Sequence, residues 1–154
     1  MKFATFAAIF RGPAHLTEVE FEQRLWTVLR DLNKIDSAPW DSSVTANPAD
    51  ANFAFSFGGV AFYIVGMHPQ SSRASRRFDF PALVFNAHEQ FRRLRAEGTW
   101  ERMRASIRQR DFALQGTHNP MLTDFGERSE ARQYSGRAVP DDWRAPLKRC
   151  PFGH

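Results

Sequence analysis

Cysteine occurs once, at position 150. One thiol excludes an internal disulfide and a cysteine-rich zinc site. Lysine is almost as scarce: Lys2, Lys34 and Lys148 are the only three, so the formal charge of +4 rests mostly on arginine. That bias favours planar, bidentate recognition of carboxylate or phosphate over a diffuse basic surface. The arginines are dispersed over the chain and form no stripe interleaved with aromatics, so no nucleic-acid partner is expected. No apolar run is long enough to span a membrane. The stretch 3–10 follows Lys2 and stops at Arg11-Gly12-Pro13. Nothing resembles a signal peptide, which gives the expectation of a soluble, cytoplasmic protein. Internal repeats and low-complexity segments are absent. There is no His-Glu-x-x-His and no Cys-x-x-Cys, which points away from a zinc site held wholly by the protein. An iron porphyrin, by contrast, needs only one or two protein ligands.

What the chain has in quantity is phenylalanine, fifteen in 154 residues. That supply suits a thick core or an aromatic wall for a planar ligand, with the core as the default. The length suits one domain. Residues 3–10 read as a buried strand closed by Gly12-Pro13. Thr17 and Glu20 match a capping box. After it Phe21, Leu25, Val28, Leu29 and Leu32 fall on one face of a helix, with Glu22, Arg24, Arg30 and Asp31 on the other. Ser37–Asn52 is loop-like, and Trp40 within it needs a packing partner. Asn52–Phe57 and Val60–Met67 flank Gly58-Gly59 as a hairpin. Ala82–Asn86 is a fourth short strand. A helix from about His88 to a C-cap at Gly98 is followed by one capped by Thr99, with Trp100, Met103, Ile107 and Leu114 along one side. The last forty residues read as ordered loop. The pattern is α+β: a small, mostly antiparallel sheet of about four strands packed with about three helices.

The chemistry gathers in two stretches. His68 ends a strand before Pro69, where a side chain projects from the sheet edge. His88 opens a helix, where the positive end of the backbone dipole opposes a charged imidazole. A neutral imidazole is what a metal needs. The bland alternative for both is a hydrogen-bonded packing residue. Arg73, Arg76 and Arg77 form a solvated basic loop or an anion clamp. Gly126–Arg137 holds a glutamate beside several arginines and a tyrosine, which can form a buried network.

Four strings together resemble the YqcI/YcgG family: His-Pro-x-x-Ser-Arg-x-x-Arg-Arg-Phe at 68–78, Val-Phe-Asn-x-His-x-Gln-Phe at 84–91, Gln-Gly-x-x-Asn-Pro-Met-Leu at 115–122, and Ser-Glu-Ala-Arg-Gln-Tyr-Ser-Gly-Arg at 129–137. Characterised members are haem-dependent N-hydroxylases of guanidino compounds such as arginine. The resemblance implies haem b with an imidazole axial ligand, His88 or His68, with His88 slightly favoured for its neighbours Phe85 and Phe91. It offers Arg73, Arg76 and Arg77 for the haem propionates, and Glu130, Arg132 and Tyr134 for substrate binding or the distal pocket. It implies a guanidino or amino substrate, dioxygen or peroxide, an electron donor and a homodimer as partners. Two departures stand out. The chain begins near the first strand of the shared part, without the additional N-terminal region of family members. Six residues, Arg144 to Arg149, separate Trp143 from Cys150 where the family usually has Trp-x-Cys-Pro-Phe, which disfavours Cys150 as a ligand. A non-catalytic haem carrier or sensor of the same fold is the alternative expectation, and a basic nucleic-acid module ranks below both.

Overall fold

The computed structural model describes residues 4–146; the Cys150 and His154 readings lie outside them. Four strands form one antiparallel sheet in the order β1-β4-β3-β2, with β1 Thr5–Ile9, β2 Phe55–Phe57, β3 Val60–Met67 and β4 Ala82–Ala87. Three helices accompany it: α1 Glu18–Ile35, α2 His88–Ala96 and α3 Trp100–Gln115. Short 3-10 turns stand at Ala74–Arg76 and Glu130–Gln133. The fold is α+β, as the sequence pattern indicates. No helix among the described residues is long and apolar enough to cross a membrane.

The capping box forms as spelled: Glu20 N–H donates to Thr17 Oγ1 at 3.2 Å, and Thr17 N–H donates to Glu20 at 2.8 Å. Phe21, Leu25 and Leu29 of α1 are buried together with Trp26, and they pack on Phe53, Phe55, Ile64, Leu83 and Phe85. The strand register places Phe55 opposite Phe62, Ile64 opposite Phe85 and Gly66 opposite Leu83, which lines up one apolar face for α1. Gly58 and Gly59 have φ of 61° and 78°, the two left-handed positions a tight hairpin turn demands. Trp40 finds its partners in Phe53 and Phe55. α2 ends in a Schellman motif: Gly98 N–H donates to Arg95 O, and Thr99 N–H to Leu94 O.

Several expectations need correction. The first strand is an exposed edge, with Phe6 66% and Ile9 59% accessible, because only β4 pairs with it. Apolar composition does not report which strand lies outermost. The hairpin's first arm begins at Phe55 rather than Asn52, since Asn52 N–H is drawn into a turn on the Asp50 carboxylate. Glu22, assigned to the solvent face of α1, is 4% exposed. Thr99 makes no side-chain cap for α3; its hydroxyl closes α2 instead by donating to Leu94 O. No α3 residue is buried, and Ile107 and Leu114 face solvent. α3 packs on α2 and the Ala74–Arg76 turn, and polar bonds anchor it. Arg73 binds Asp111, while Arg104 and Arg108 reach Asp124.

Candidate functional site

The two histidines leave the sheet at opposite ends. Met67 pairs with Ala82 and Phe62 with Ala87, so His68 follows one end of the β3–β4 ladder and His88 the other. The intervening strand length is about 20 Å at ~3.3 Å per residue. The candidate residues therefore divide into two groups.

At the first end, His68 is 1% exposed, its ring stacked on Phe21 at 4.2 Å. Neither ring nitrogen has a hydrogen-bond partner. Burial lowers the affinity of this imidazole for a proton, with Glu18 opposing. Of the arginines that follow, Arg73 and Arg76 turn inward on the protein and Arg77 is exposed. Arg73 is buried against Asp111 and Thr117. Arg76 donates to Gly66 O, Tyr134 O and Gln133 O at 3.0–3.3 Å. Arg77 donates to Ser71 O and Ser72 O. Arg73 and Arg76 act as cross-braces between segments, whereas exposed Arg77 bonds the carbonyls of its own loop.

At the second end, His88 opens α2 and is 8% exposed. Its Nε2 lies 3.0 Å from both carboxylate oxygens of Glu130. The Tyr134 hydroxyl donates to Glu130 Oε1 at 2.7 Å and accepts from Phe55 N–H at 3.1 Å. With an ionised Glu130 that accepts from Tyr134, His88 Nε2 is the nitrogen that donates to the carboxylate. Burial pushes the Glu130 carboxyl above its ordinary range, and the bonds from His88 and Tyr134 pull it back. Burial, with Glu130 alongside, raises the Tyr134 phenol well above its ordinary value. Phe125 meets the His88 ring edge-on at 5.1 Å. Phe91 stands against Trp100 and Tyr63, whereas Phe85 belongs to the core beside Phe55 and Phe62.

The segment 129–137 supplies this end and ties it to the first. Ser129 Oγ donates to Pro48 O at 2.6 Å and accepts from Ala131 N–H. Gln133 accepts from the Tyr63 hydroxyl at 2.9 Å. Ser135 and Arg137 both donate to buried Glu22, joined by Trp143 Nε1. Tyr134 O accepts from Gly66 N–H at 2.7 Å. Sequence reasoning missed Glu22, Tyr63 and Phe125. Local pattern carried no inward signal for Glu22, since periodicity puts it off the apolar stripe of α1.

Imidazole is a donor that haem iron takes, and two observations fit it. His68 is a buried imidazole whose nitrogens are both unmet. His88 has the carboxylate partner that a ligating histidine commonly has on its far nitrogen. The donors of Arg73, Arg76 and Arg77 are already engaged with protein acceptors. Two cavities of about 260 and 300 Å³ lie beside the Glu130–Gln133 turn, and their walls include Arg128, Arg132 and Asp141 and no histidine.

A family model matches residues 1–152. The chain belongs to the YqcI/YcgG family. It is 28% identical over 160 residues to a Bacillus subtilis (strain 168) protein named "Uncharacterized protein YqcI", covering 98% of this chain and 61% of that one. It is also 28% identical over 134 residues to a Streptomyces lavendulae protein named "Putative N(omega)-hydroxy-L-arginine synthase DcsA", covering 82% of this chain and 49% of that one. This family member thus spans about half to three-fifths of the length of those relatives. No solved structure matches it.

Proposed function

We propose that the chain is the haem-binding part of an N-hydroxylase that adds one oxygen atom to a guanidino or amino nitrogen of an arginine-like compound. The observation that carries this reading is the buried His88–Glu130–Tyr134 network. Family membership and the similarity to a protein named for hydroxyarginine synthesis support it. Haem b would be held by His88, with His68 as the other candidate ligand; the length of the ladder between them excludes both from one iron. Haem, when bound, supplies the activation of dioxygen or peroxide that side chains lack. An electron donor completes the stoichiometry with dioxygen. The protein's own part is positional. Glu130 fixes the tautomer and ring plane of His88, Tyr134 fixes Glu130, and Phe125 covers the ring edge. A carrier or sensor without turnover is the second reading, favoured by cavities that border arginines rather than a histidine.

The test is the absorbance of the purified chain reconstituted with haem b. A Soret band is expected, lost or shifted in His88→Ala and retained in His68→Ala. No band at all, or one unchanged in both variants, would sink the haem assignment. Incubation with L-arginine, reductant and oxygen, read by mass spectrometry, separates the two readings: a product heavier by one oxygen eliminates the carrier.

A further inference from the structure

Arg132 is 8% exposed, and it differs from the other buried arginine of the described chain. Arg73 meets the Asp111 carboxylate. Half-buried Arg137 likewise has Glu22 at 3.0 Å. Arg132 has backbone carbonyls only: Pro140 O at 3.0 Å, with Val139 O and Asp141 O at 3.5 Å. Its nearest carboxylate, Asp141, lies 3.9 Å away and is 96% exposed. Arg128 shares that same carboxylate at 3.2 Å. Arg144 lines one of the two adjoining cavities, its guanidinium turned to the carbonyls of Asp142 and Trp143. Glu127 also borders that cavity, but its carboxylate accepts from Asp124 N–H. Burial and the adjacent Arg128 both lower the proton affinity of Arg132. Two guanidiniums, Arg128 and Arg132, thus share one solvated carboxylate, with Arg144 on the rim of the same cavity, and a buried cation without a close counter-charge is costly. Both cavities open on Arg132, one walled by Pro120, Met121 and Val139, the other by Trp143.

We infer that the cleft around Arg128, Arg132 and Arg144 is an anion subsite that takes the carboxylate of an amino-acid-sized ligand. A planar guanidinium fork matches a carboxylate, and the apolar walls suit an aliphatic body. In the N-hydroxylase reading, on which this assignment of the ligand rests, the carboxylate is that of the arginine-like substrate. Arg132 then stands two residues from Glu130 on the same 3-10 turn.

Calorimetric titration of the full chain with L-arginine and with agmatine, which keeps the guanidine and lacks the carboxylate, tests the subsite. L-Arginine should bind about tenfold more tightly or better, the difference of a charge-assisted pair. Arg128→Gln combined with Arg144→Gln, at the exposed rim, should erase most of that preference while leaving the circular dichroism spectrum unchanged. Agmatine matching L-arginine within about twofold, neither ligand binding, or a preference that survives the double variant overturns the inference. The two readings fail separately. Carboxylate-dependent binding without any hydroxylated product removes the N-hydroxylase and keeps the subsite. Agmatine hydroxylated as readily as L-arginine does the reverse.

Discussion

Tyr134 is the side chain on which both ends of the sheet depend. Its hydroxyl satisfies Glu130 and Phe55 N–H, its ring stacks on Trp26 at 5.6 Å, and its carbonyl takes Gly66 N–H. Tyr134→Phe keeps the ring and removes the hydroxyl, leaving buried Glu130 short of a donor. The expected cost is about 2 kcal/mol, the penalty of an unmet buried polar group. Urea unfolding of the apo chain measures it; a loss under about 0.5 kcal/mol would mean that water or another donor substitutes. That Glu130 and Tyr134 belong to a buried network was legible in the crowding of hydrogen-bonding groups at 126–137. That His88 is its other member was not, because 42 residues separate His88 from Glu130 and local pattern carries no long-range pairing. Glu22 escaped for a related reason: helical periodicity assigns a carboxylate to solvent unless the donors that meet it are visible.

The β3–β4 ladder explains why one sequence stretch, 67–91, is two places in space. Its strands run antiparallel, so residues just after each strand end up at opposite ends. Strands, the hairpin glycines and the α1 cap were legible, since each rests on local chemistry. Edge position and α3 exposure were not, since both depend on neighbours. On β3, Gly66 is the point where the 129–137 segment lies closest. A Cβ there would meet Tyr134 O at 2.7 Å and Leu25 Cδ1 and Phe21 Cε1 at 2.8 Å. Gly66→Ala should cost about 3 kcal/mol through overpacking. Gly98→Ala, with open space around its Cβ and only a positive φ to oppose it, should cost about 1 kcal/mol. Parallel thermal melts compare them, and equal losses would contradict the close approach at Gly66.

For the molecule as a whole, the Arg73–Asp111 pair fastens the outlying α3 to the rest. Burial alone would raise the Asp111 carboxyl. Hydrogen bonds from Arg73 and Ser75 outweigh it and hold the group below its ordinary value of 3.8. A carboxyl lowered in the folded state contributes stability that is present above the ordinary value and lost as pH falls through the folded one. Asp111→Asn should therefore cost about 2–3 kcal/mol at about pH 7 and less at about pH 3. Denaturation curves at the two pH values check the sign, and a cost that grows in acid would refute it. A different consequence follows from the bonds between Glu22 and Arg137, 115 residues apart in the chain. During synthesis α1 emerges with a carboxylate on its inner face well before the groups that neutralise and cover it. Until Arg137 is free, the apolar face of α1 has no complete lid and Glu22 no cation. The segment that carries α1 is thus not an autonomous folding unit, and the native core closes only after Arg137 has emerged.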